Sequence, residues 1–341
     1  MRFVIGVIRF FVGFGILGAT LIAVAALFGF AVPFLDLFNH LQLLLFLSLV
    51  IGMVLTVPLF LRSRWQRPVL VLSLLGLVAS GTTFVPELVA GFAARPALPD
   101  DGRPVLKVMT HNVFGLNYDM QRVDAVIAAE DPDIVVLQEY FDEQEVDLHP
   151  LLSARYPHFV RCRGGKRANL GLYSKSPFDQ AMGAGDCPED ANGSQRTAHI
   201  LATFTLADGS KFSLMTTHME WPFPLERQQA QLEVLAEAAK AVKGPLVVVG
   251  DFNSTPWSYA LRGFAAATGM ERQDHNLVTF PLVFTVPDEW SRRGLIDTIP
   301  FLPLDHVFTR DGVAVHELQL GEATGSDHLP IVFSLSVSPS P

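Results

Sequence analysis

Three long stretches without a charged side chain dominate the first 95 residues of the chain. They run from Phe10 to Leu35, from Leu41 to Leu61 and from Pro68 to Pro86. About 20 consecutive apolar residues in a helix cross the hydrocarbon core of a bilayer, because the helix satisfies its own backbone hydrogen bonds there. Each stretch meets or nearly meets that length, which predicts three transmembrane helices with a lipid bilayer around them.

A cleaved signal peptide is the alternative interpretation of the first stretch. Its 26 uncharged residues exceed the apolar region of an ordinary signal peptide, and two further stretches follow directly. A soluble bundle of buried helices is also disfavoured, because none of the three stretches has a polar face.

The loops predict the orientation of these helices. The basic residues lie before the first stretch and between the second and third, at Arg2, Arg9, Arg62, Arg64 and Arg67. The first loop, residues 36–40, contains no Lys or Arg, so the positive-inside rule places the N-terminus in the cytoplasm. Everything after about Ala90 is then extracytoplasmic, which means periplasmic in a Gram-negative cell. Trp65 suits an interfacial anchor.

Charge divides the chain into two parts. Of its 25 basic and 34 acidic residues, only six and two fall within residues 1–95, so the remainder carries a formal charge of −13. We therefore predict a transmembrane anchor over residues 1–95, a linker over 96–104 and one large folded domain over 105–336, followed by a tail over 337–341. The acidic balance disfavours tight general binding to nucleic acid, whose affinity depends on phosphate neutralisation.

Two cysteines, Cys162 and Cys187, lie in the acidic part. In an oxidising compartment such a pair can form a disulfide, and two unrelated buried thiols are the alternative. Neither cysteine has the spacing to a second cysteine or a histidine that is typical of a zinc site.

The acidic part alternates apolar strands with helices. Strands are predicted at Val105–His111, Asp133–Leu137, Leu170–Ser174, Lys211–His218 and Leu246–Gly250, among others, and the clearest helix at Leu225–Val242. Many strands with few helices predict an α/β fold with two sheets packed face to face and helices outside.

Polar side chains follow or precede these strands. They occur at His111-Asn112, Gln138-Glu139, Thr217-His218, Asp251-Phe252-Asn253, Leu304-Asp305 and Ser326-Asp327-His328. Each could be an ordinary turn or cap residue, but so many such groups at strand ends favour one common cleft. Carboxylate and amide oxygens suit Mg²⁺ or Mn²⁺, and a histidine paired with an aspartate is a typical general base.

This set of motifs resembles the endonuclease/exonuclease/phosphatase superfamily over about residues 104–335. The resemblance implies a four-layered α/β sandwich and hydrolysis of a phosphate ester with a divalent metal. It implies metal contacts at Glu139, Asn112 and Asp327. It also implies that His328 is the catalytic imidazole held by Asp305, that Asp251 orients or activates water, and that Asn253 and His218 contact the phosphate. The resemblance leaves open whether Asp251 or His328 acts as the general base.

Arg167, Asn169 and Arg196 are further candidates for phosphate contacts, with ordinary surface positions as the alternative. The expected activity is hydrolysis of a phosphodiester by direct attack of water, on nucleic acid, a nucleotide or a phospholipid headgroup. The aromatic run Trp221-Pro222-Phe223-Pro224 could face lipid, stack on a base or pack a loop. A headgroup phosphodiesterase of the sphingomyelinase type and a non-catalytic protein on a decayed phosphoesterase fold are the alternatives.

Overall fold

The computed structural model describes residues 2–163, 169–182, 185–186, 198–285 and 295–338. The chain forms two compact units. The first contains residues 1–93 and 255–262, and the second contains residues 94–254 and 263–341.

The first unit is helical. Its helices are α1 (Arg2–Ala26), the short α2 (Pro33–Asp36) with a following 3₁₀ turn (Leu37–Leu41), α3 (Gln42–Leu59) and α4 (Gln66–Ala90). Three segments are long and apolar enough to cross a membrane: Phe3–Ala26, Pro33–Leu59 and Gln66–Ala90. They overlap the three stretches predicted from the sequence, but the first begins at Phe3 and therefore includes Arg9, which was expected to precede the span.

Glycines allow these helices to pack closely. A Cβ atom added at Gly76 would lie 2.6 Å from the Thr20 hydroxyl, and one added at Gly52 would lie 2.7 Å from the Ile16 side chain. Small residues at helix contacts are typical of membrane bundles, where close approach of the backbones supplies the packing energy.

A buried polar network lies at the turn between α1 and α3. Asn39 donates to the Asp36 carboxylate, Gln42 donates to Asn39, and the Ser80 hydroxyl donates to Gln42. Asp36 also accepts from the backbone amides of Tyr259 and Ala260, at 2.8 and 3.0 Å, so this carboxylate caps the first turn of helix α8 (Tyr259–Thr268).

The second unit contains two mixed sheets. Its other helices are α5 (Met120–Glu130), α6 (Asp142–Ser153) and α7 (Leu225–Ala241). The strands are β1 (Val105–Asn112), β2 (Ile134–Gln138), β3 (His158–Arg163), β4 (Leu170–Ser174), β5 (Phe178–Met182), β6 (Gly185–Asp186), β7 (Ala198–Thr205), β8 (Lys211–His218), β9 (Leu246–Asp251), β10 (Glu271–Arg272), β11 (Val283–Thr285), β12 (Leu295–Asp297), β13 (Asp305–Arg310), β14 (Val313–Leu320) and β15 (Ile331–Val337).

The first sheet has the order β14-β15-β1-β2-β4-β3-β6, and the second has the order β10-β13-β9-β8-β7-β5. Strands β1 and β2 are parallel, as are β8 and β9, while β13 and β15 run antiparallel to their neighbours. Strands β11 and β12 form a separate two-stranded sheet.

Alternate residues of the strands face two different cores. Val108 and Val136 of the first sheet pack with Leu214 and Val249 of the second in one cluster between the sheets. The intervening residues Met109, Val135 and Leu137 belong to a second cluster, together with apolar residues of α5 and α6. The period of two along each strand therefore builds the predicted four-layered α/β sandwich.

The predicted strands and the α7 helix agree with the observed ones to within two residues at each end. The predictions missed the five-residue strand β5 and also the strands β6, β10, β11 and β12, whose two or three residues are too few for a periodic pattern. Cys162 of β3 is disulfide-bonded, and Cys187, the other cysteine, lies outside the described residues.

Candidate active site

Strand register brings three of the predicted side chains into one row. His218, the last residue of β8, is paired with Asp251, the last residue of β9, and Asp251 is paired with Asp305, the first residue of β13. Since residues paired across adjacent strands point to the same face, the three side chains lie side by side at this edge of the second sheet.

The first sheet contributes a matching edge. Asn112 ends β1 and is paired with Gln138, so Glu139 follows directly at the end of β2. Strand β15 begins beside the end of β1, with Ile331 opposite Thr110, and His328 precedes that strand by three residues. The polar residues that follow the strands of one sheet thus face those of the other.

His328 lies between two carboxylates. Its Nδ1 atom is 2.7 Å from Asp305 Oδ2, and its Nε2 atom is 3.7 Å from Asp251 Oδ2. All three side chains are almost fully buried. The Asp305 hydrogen bond fixes the tautomer and orientation of the ring and leaves Nε2 on the side of the Asp251 carboxylate.

Asn112 connects the two sheets. Its amide nitrogen donates to Asp251 Oδ2 at 2.9 Å and lies 3.4 Å from Glu139 Oε1, while its oxygen accepts from the backbone amide of Phe114. Glu139 is further held by the backbone amide of Gly115, at 2.8 Å. In this orientation Asn112 presents its NH₂ group, not its oxygen, to the two carboxylates.

His218 and Asn253 complete the cluster. The Nε2 atom of His218 lies 3.5 Å from Asp251 Oδ2 and 3.8 Å from Glu139 Oε1. The Asn253 side chain donates to the Met219 carbonyl at 2.9 Å, and its backbone amide donates to Asp251 Oδ1 at 2.8 Å.

Two of these residues adopt a backbone conformation that side chains rarely take. Glu139 has a φ of 52° and Asn253 a φ of 48°, both in the left-handed region. A non-glycine residue in this region costs free energy, and it persists where the surroundings hold it, often at functional sites.

Burial and neighbouring charges shift the pKa values of the cluster. Burial raises the pKa of Asp251 to about 7, with Asp305 adding to the shift and His328 opposing it. Burial acts to lower the pKa of His328, but the carboxylates of Asp305 and Asp251 outweigh it and raise that pKa to about 10. The geometry therefore favours a protonated imidazole beside a carboxyl group that titrates near neutrality.

The chain from residue 109 to residue 328 matches the sequence model of the endonuclease/exonuclease/phosphatase family. The chain belongs to this family. A UPF0294 protein of Vibrio campbellii is 29% identical over 140 residues, which cover 41% of this chain and 45% of that protein. The match thus spans less than half of that relative's length.

Solved structures with the same fold include two endonuclease/exonuclease/phosphatase family proteins. That from Bacteroides vulgatus has a TM-score of 0.53 and 20% identity, covering 69% of this chain and all of the other. That from Beutenbergia cavernae has a TM-score of 0.51 and 22% identity, covering 70% of this chain and 73% of the other. These similarities establish the four-layered fold.

The donor atoms of this endonuclease/exonuclease/phosphatase site fit a divalent cation. Donor atoms of Asp251, Asp305 and His328 all lie within 4.8 Å of one another, and Glu139 Oε1 and Asp251 Oδ2 lie 3.8 and 3.5 Å from the same atom, His218 Nε2. Among the described residues, the buried oxygens Asn253 Oδ1 and Asp327 Oδ1 have no hydrogen-bond partner. Burial raises the pKa of Asp327 to about 6, an effect that Glu139 strengthens and His328 opposes. Carboxylate and amide oxygens that lack a hydrogen-bond partner are suitable ligands for Mg²⁺ or Mn²⁺.

Of the three candidate phosphate contacts outside this cluster, only Asn169 lies among the described residues. Arg167 and Arg196 lie outside the described residues. The Asn169 carbonyl accepts from the backbone amide of Tyr140, which places its backbone beside the residue that follows Glu139. All the other predicted site residues come together at the facing sheet edges.

Sequence reasoning missed several residues that hold the site. Gln228 of α7 donates to the carbonyls of Glu220, Phe252 and Asn253, and Gln231 accepts from the Glu220 amide. Both glutamines are buried. On an amphipathic helix a glutamine is normally assigned to the solvent face, so only the pattern of buried contacts reveals this role.

The ring of Phe280 is a second feature that the motifs did not indicate. Its centroid lies 4.7 Å from that of His328 and 5.6 Å from that of Trp221. The imidazole therefore has an aromatic wall, and that wall continues to the loop after His218.

Proposed function

We propose that this protein is a membrane-anchored, Mg²⁺- or Mn²⁺-dependent phosphodiesterase that hydrolyses its substrate by direct attack of water. The main support is the arrangement of His328 between Asp305 and Asp251, at hydrogen-bonding distance from one carboxylate and 3.7 Å from the other. A fixed imidazole and a second carboxylate at one cleft supply both a proton donor and a proton acceptor.

Glu139 is the principal candidate for holding the metal, with Asp327 and Asn112 beside it. Asn112 would stand beside the metal and hold the neighbouring Asp251 carboxylate in place, because its NH₂ group donates to Asp251 Oδ2 while its oxygen accepts from the Phe114 amide. A bound Mg²⁺ or Mn²⁺ would neutralise charge on the phosphate and polarise it toward attack.

We assign the proton-accepting role to Asp251 and the proton-donating role to His328. Asp251 Oδ1 is held by the Asn253 amide and its Oδ2 by Asn112, which fixes the carboxylate for contact with a water molecule. His328 is stabilised in its charged form by Asp305, so that its Nε2–H group can give its proton to the leaving oxygen as that oxygen's bond to phosphorus breaks.

His218 and Asn253 would bind non-bridging phosphate oxygens. Both side chains are buried and carry N–H donors, and the Asn253 amide nitrogen lies 3.4 Å from His218 Nε2. Donors fixed before the reaction stabilise the charge that develops in the transition state, and each is typically worth about two to three powers of ten in rate.

The test is hydrolysis of bis-p-nitrophenyl phosphate by the full chain in detergent, with and without Mg²⁺ or Mn²⁺. We expect metal-dependent turnover that falls by about 10² or more in Glu139→Gln and in His328→Ala. Glu143→Gln, which changes an exposed glutamate on α6, is the matched control and should retain wild-type turnover. Equal turnover in all four proteins, or none in the wild type, would support the non-catalytic alternative.

A phospholipid headgroup phosphodiesterase is the second candidate. Trp221 and Phe223 follow His218 and are 39% and 69% exposed, and Trp221 contacts the Phe280 ring beside His328. Exposed aromatic side chains next to a catalytic cleft suit a substrate at a lipid surface.

Parallel assays with plasmid DNA, nucleotides and phospholipid micelles distinguish the substrate classes. If the second candidate is right, Phe223→Ser should lower the turnover of micelles and leave the turnover of soluble substrates unchanged.

We further propose that the catalytic unit is extracytoplasmic. The arginines around the three apolar helices favour a cytoplasmic N-terminus, and three crossings then lead outside. The disulfide at Cys162 supports this orientation, since disulfides persist in oxidising compartments.

A further inference from the structure

A groove of about 570 Å³ opens between the start of α1, the end of α3 and the start of α4. This is the end of the helical unit that carries its basic loop. We call it the Arg9 groove and define it by six of its lining residues: Arg9, Gly13, Phe14, Ser63, Trp65 and Val69.

Arg9 is a charged residue within an apolar helix. It lies seven residues after the start of α1, which corresponds to about 10 Å along the helix axis. Its Nε atom donates to the carbonyl of Leu59, the last residue of α3, and its guanidinium lies 5.9 Å from the Phe60 ring. Its terminal nitrogens have no hydrogen-bond or ion-pair partner among the described residues.

No acidic side chain of the helical unit is available to this guanidinium. Residues 1–93 and 255–262 contain two acids, Asp36 and Glu87. Asp36 follows the far end of α1, and Glu87 lies 21 residues beyond the start of α4, about 30 Å along the axis. A charge at membrane depth normally has a partner, and an anionic lipid headgroup is a partner that the bilayer itself can supply.

The groove has the chemistry of a phospholipid site. Its polar lining consists of Arg9, Ser63 and Trp65, and the Arg64 guanidinium lies 5.4 Å from the Trp65 ring centroid. Its other lining residues are apolar, and at Gly13 an added Cβ would meet only the Phe60 ring edge, at 3.9 Å. Basic pockets between membrane helices favour anionic headgroups.

We propose that the Arg9 groove binds one anionic phospholipid, with the phosphate on Arg9 and an acyl chain along Gly13 and Val69. Charge complementarity selects this occupant, because the groove has a cation and no acid. The proposal is independent of the reaction at the catalytic site.

Native mass spectrometry of the full chain tests it. The protein is released from detergent after equilibration with equal amounts of phosphatidylglycerol and phosphatidylethanolamine that have the same acyl chains. We expect the wild type to retain phosphatidylglycerol over phosphatidylethanolamine by about fivefold, the factor for one basic side chain at an anionic lipid. Arg9→Gln should bring this ratio close to one.

Two further variants distinguish lipid binding in the Arg9 groove from a general electrostatic attraction of anionic lipid to the basic loop. Arg62→Gln removes an exposed arginine from the same end of the helical unit and should leave the ratio unchanged. Gly13→Leu keeps every charge but fills the groove, and it should lower the retention of phosphatidylglycerol at least fivefold. Equal retention of the two lipids by the wild type would overturn the proposal. So would an equal loss in Arg9→Gln and Arg62→Gln, or wild-type retention in Gly13→Leu.

Discussion

The His328 ring is oriented by the hydrogen bond from its Nδ1 atom to Asp305. An imidazole can ionise or rotate within its pocket, and a carboxylate at Nδ1 suppresses both changes. Asp305 does not itself face the substrate in the proposed mechanism, so its contribution is the placement of His328.

Replacing Asp305 with Asn is therefore expected to lower kcat by about 10² or more, because the amide favours the wrong tautomer and no longer stabilises the charged ring. KM should change little. Turnover of bis-p-nitrophenyl phosphate measures both constants, and the thermal unfolding temperature reports on folding. Asp147→Asn, at an exposed position of α6, is the control. A variant with wild-type kcat would remove Asp305 from the mechanism.

The strand-end motifs predicted that these polar side chains would lie close together, because polar residues at the ends of adjacent buried strands meet at one edge of the sheet. Asn112, Glu139, His218 and Asp251 all occupy such positions. Gln228 and Gln231 could not be predicted in this way, because their role depends on which loops α7 approaches in the folded chain.

Strand β13 is connected to the segment that follows α8 by a buried charged cluster. Asp274 lies 2.6 Å from His306 Nδ1, accepts from the backbone amide of Val307 at 2.7 Å and pairs with Arg272 at 3.0 Å. His306 Nε2 donates to the Ser254 carbonyl. The cluster thus joins β10, β13 and the loop that follows Asp251.

Asp274→Asn is expected to destabilise the protein by about 3 kcal/mol or more at pH 7, because it leaves buried cations without their partner. Burial acts to raise the pKa of Asp274, but His306 and Arg272 outweigh it and hold that pKa well below its ordinary value. A depressed carboxyl pKa stabilises the fold above about pH 4 and loses this contribution as the pH falls further.

The difference between Asp274→Asn and the wild type should therefore be largest near neutrality and should shrink below about pH 4. Thermal unfolding of the full chain in detergent at several pH values measures it, with Asp147→Asn as the exposed control. A pH-independent difference would contradict this assignment of the charge.

The helices and strands could be predicted from the sequence where the repeat of apolar positions is long. Helix α7 and the strands of five or more residues repeat their apolar positions often enough to be recognised, with β5 as an exception. The two-residue strands β6 and β10 form because a neighbouring strand offers them hydrogen bonds, and that information is not local.

For the whole molecule, the proposed orientation gives a direct test. A reporter enzyme that is active only outside the cytoplasm, fused after Ser340, should be active, because three crossings carry the chain to that side. The same reporter fused after Ser63, between the second and third spans, is the matched control and should be silent. The reverse result would place the catalytic unit in the cytoplasm.

The row formed by His218, Asp251 and Asp305 exists only in one alignment of β8, β9 and β13. A slip of one residue in any of these strands would turn its side chain to the opposite face of the sheet. Misaligned molecules would thus be inert even if they were compact. The specific activity of a preparation would then measure the fraction of molecules with the correct strand register. A screen for turnover would at the same time select sequences in which β8, β9 and β13 pair in that register.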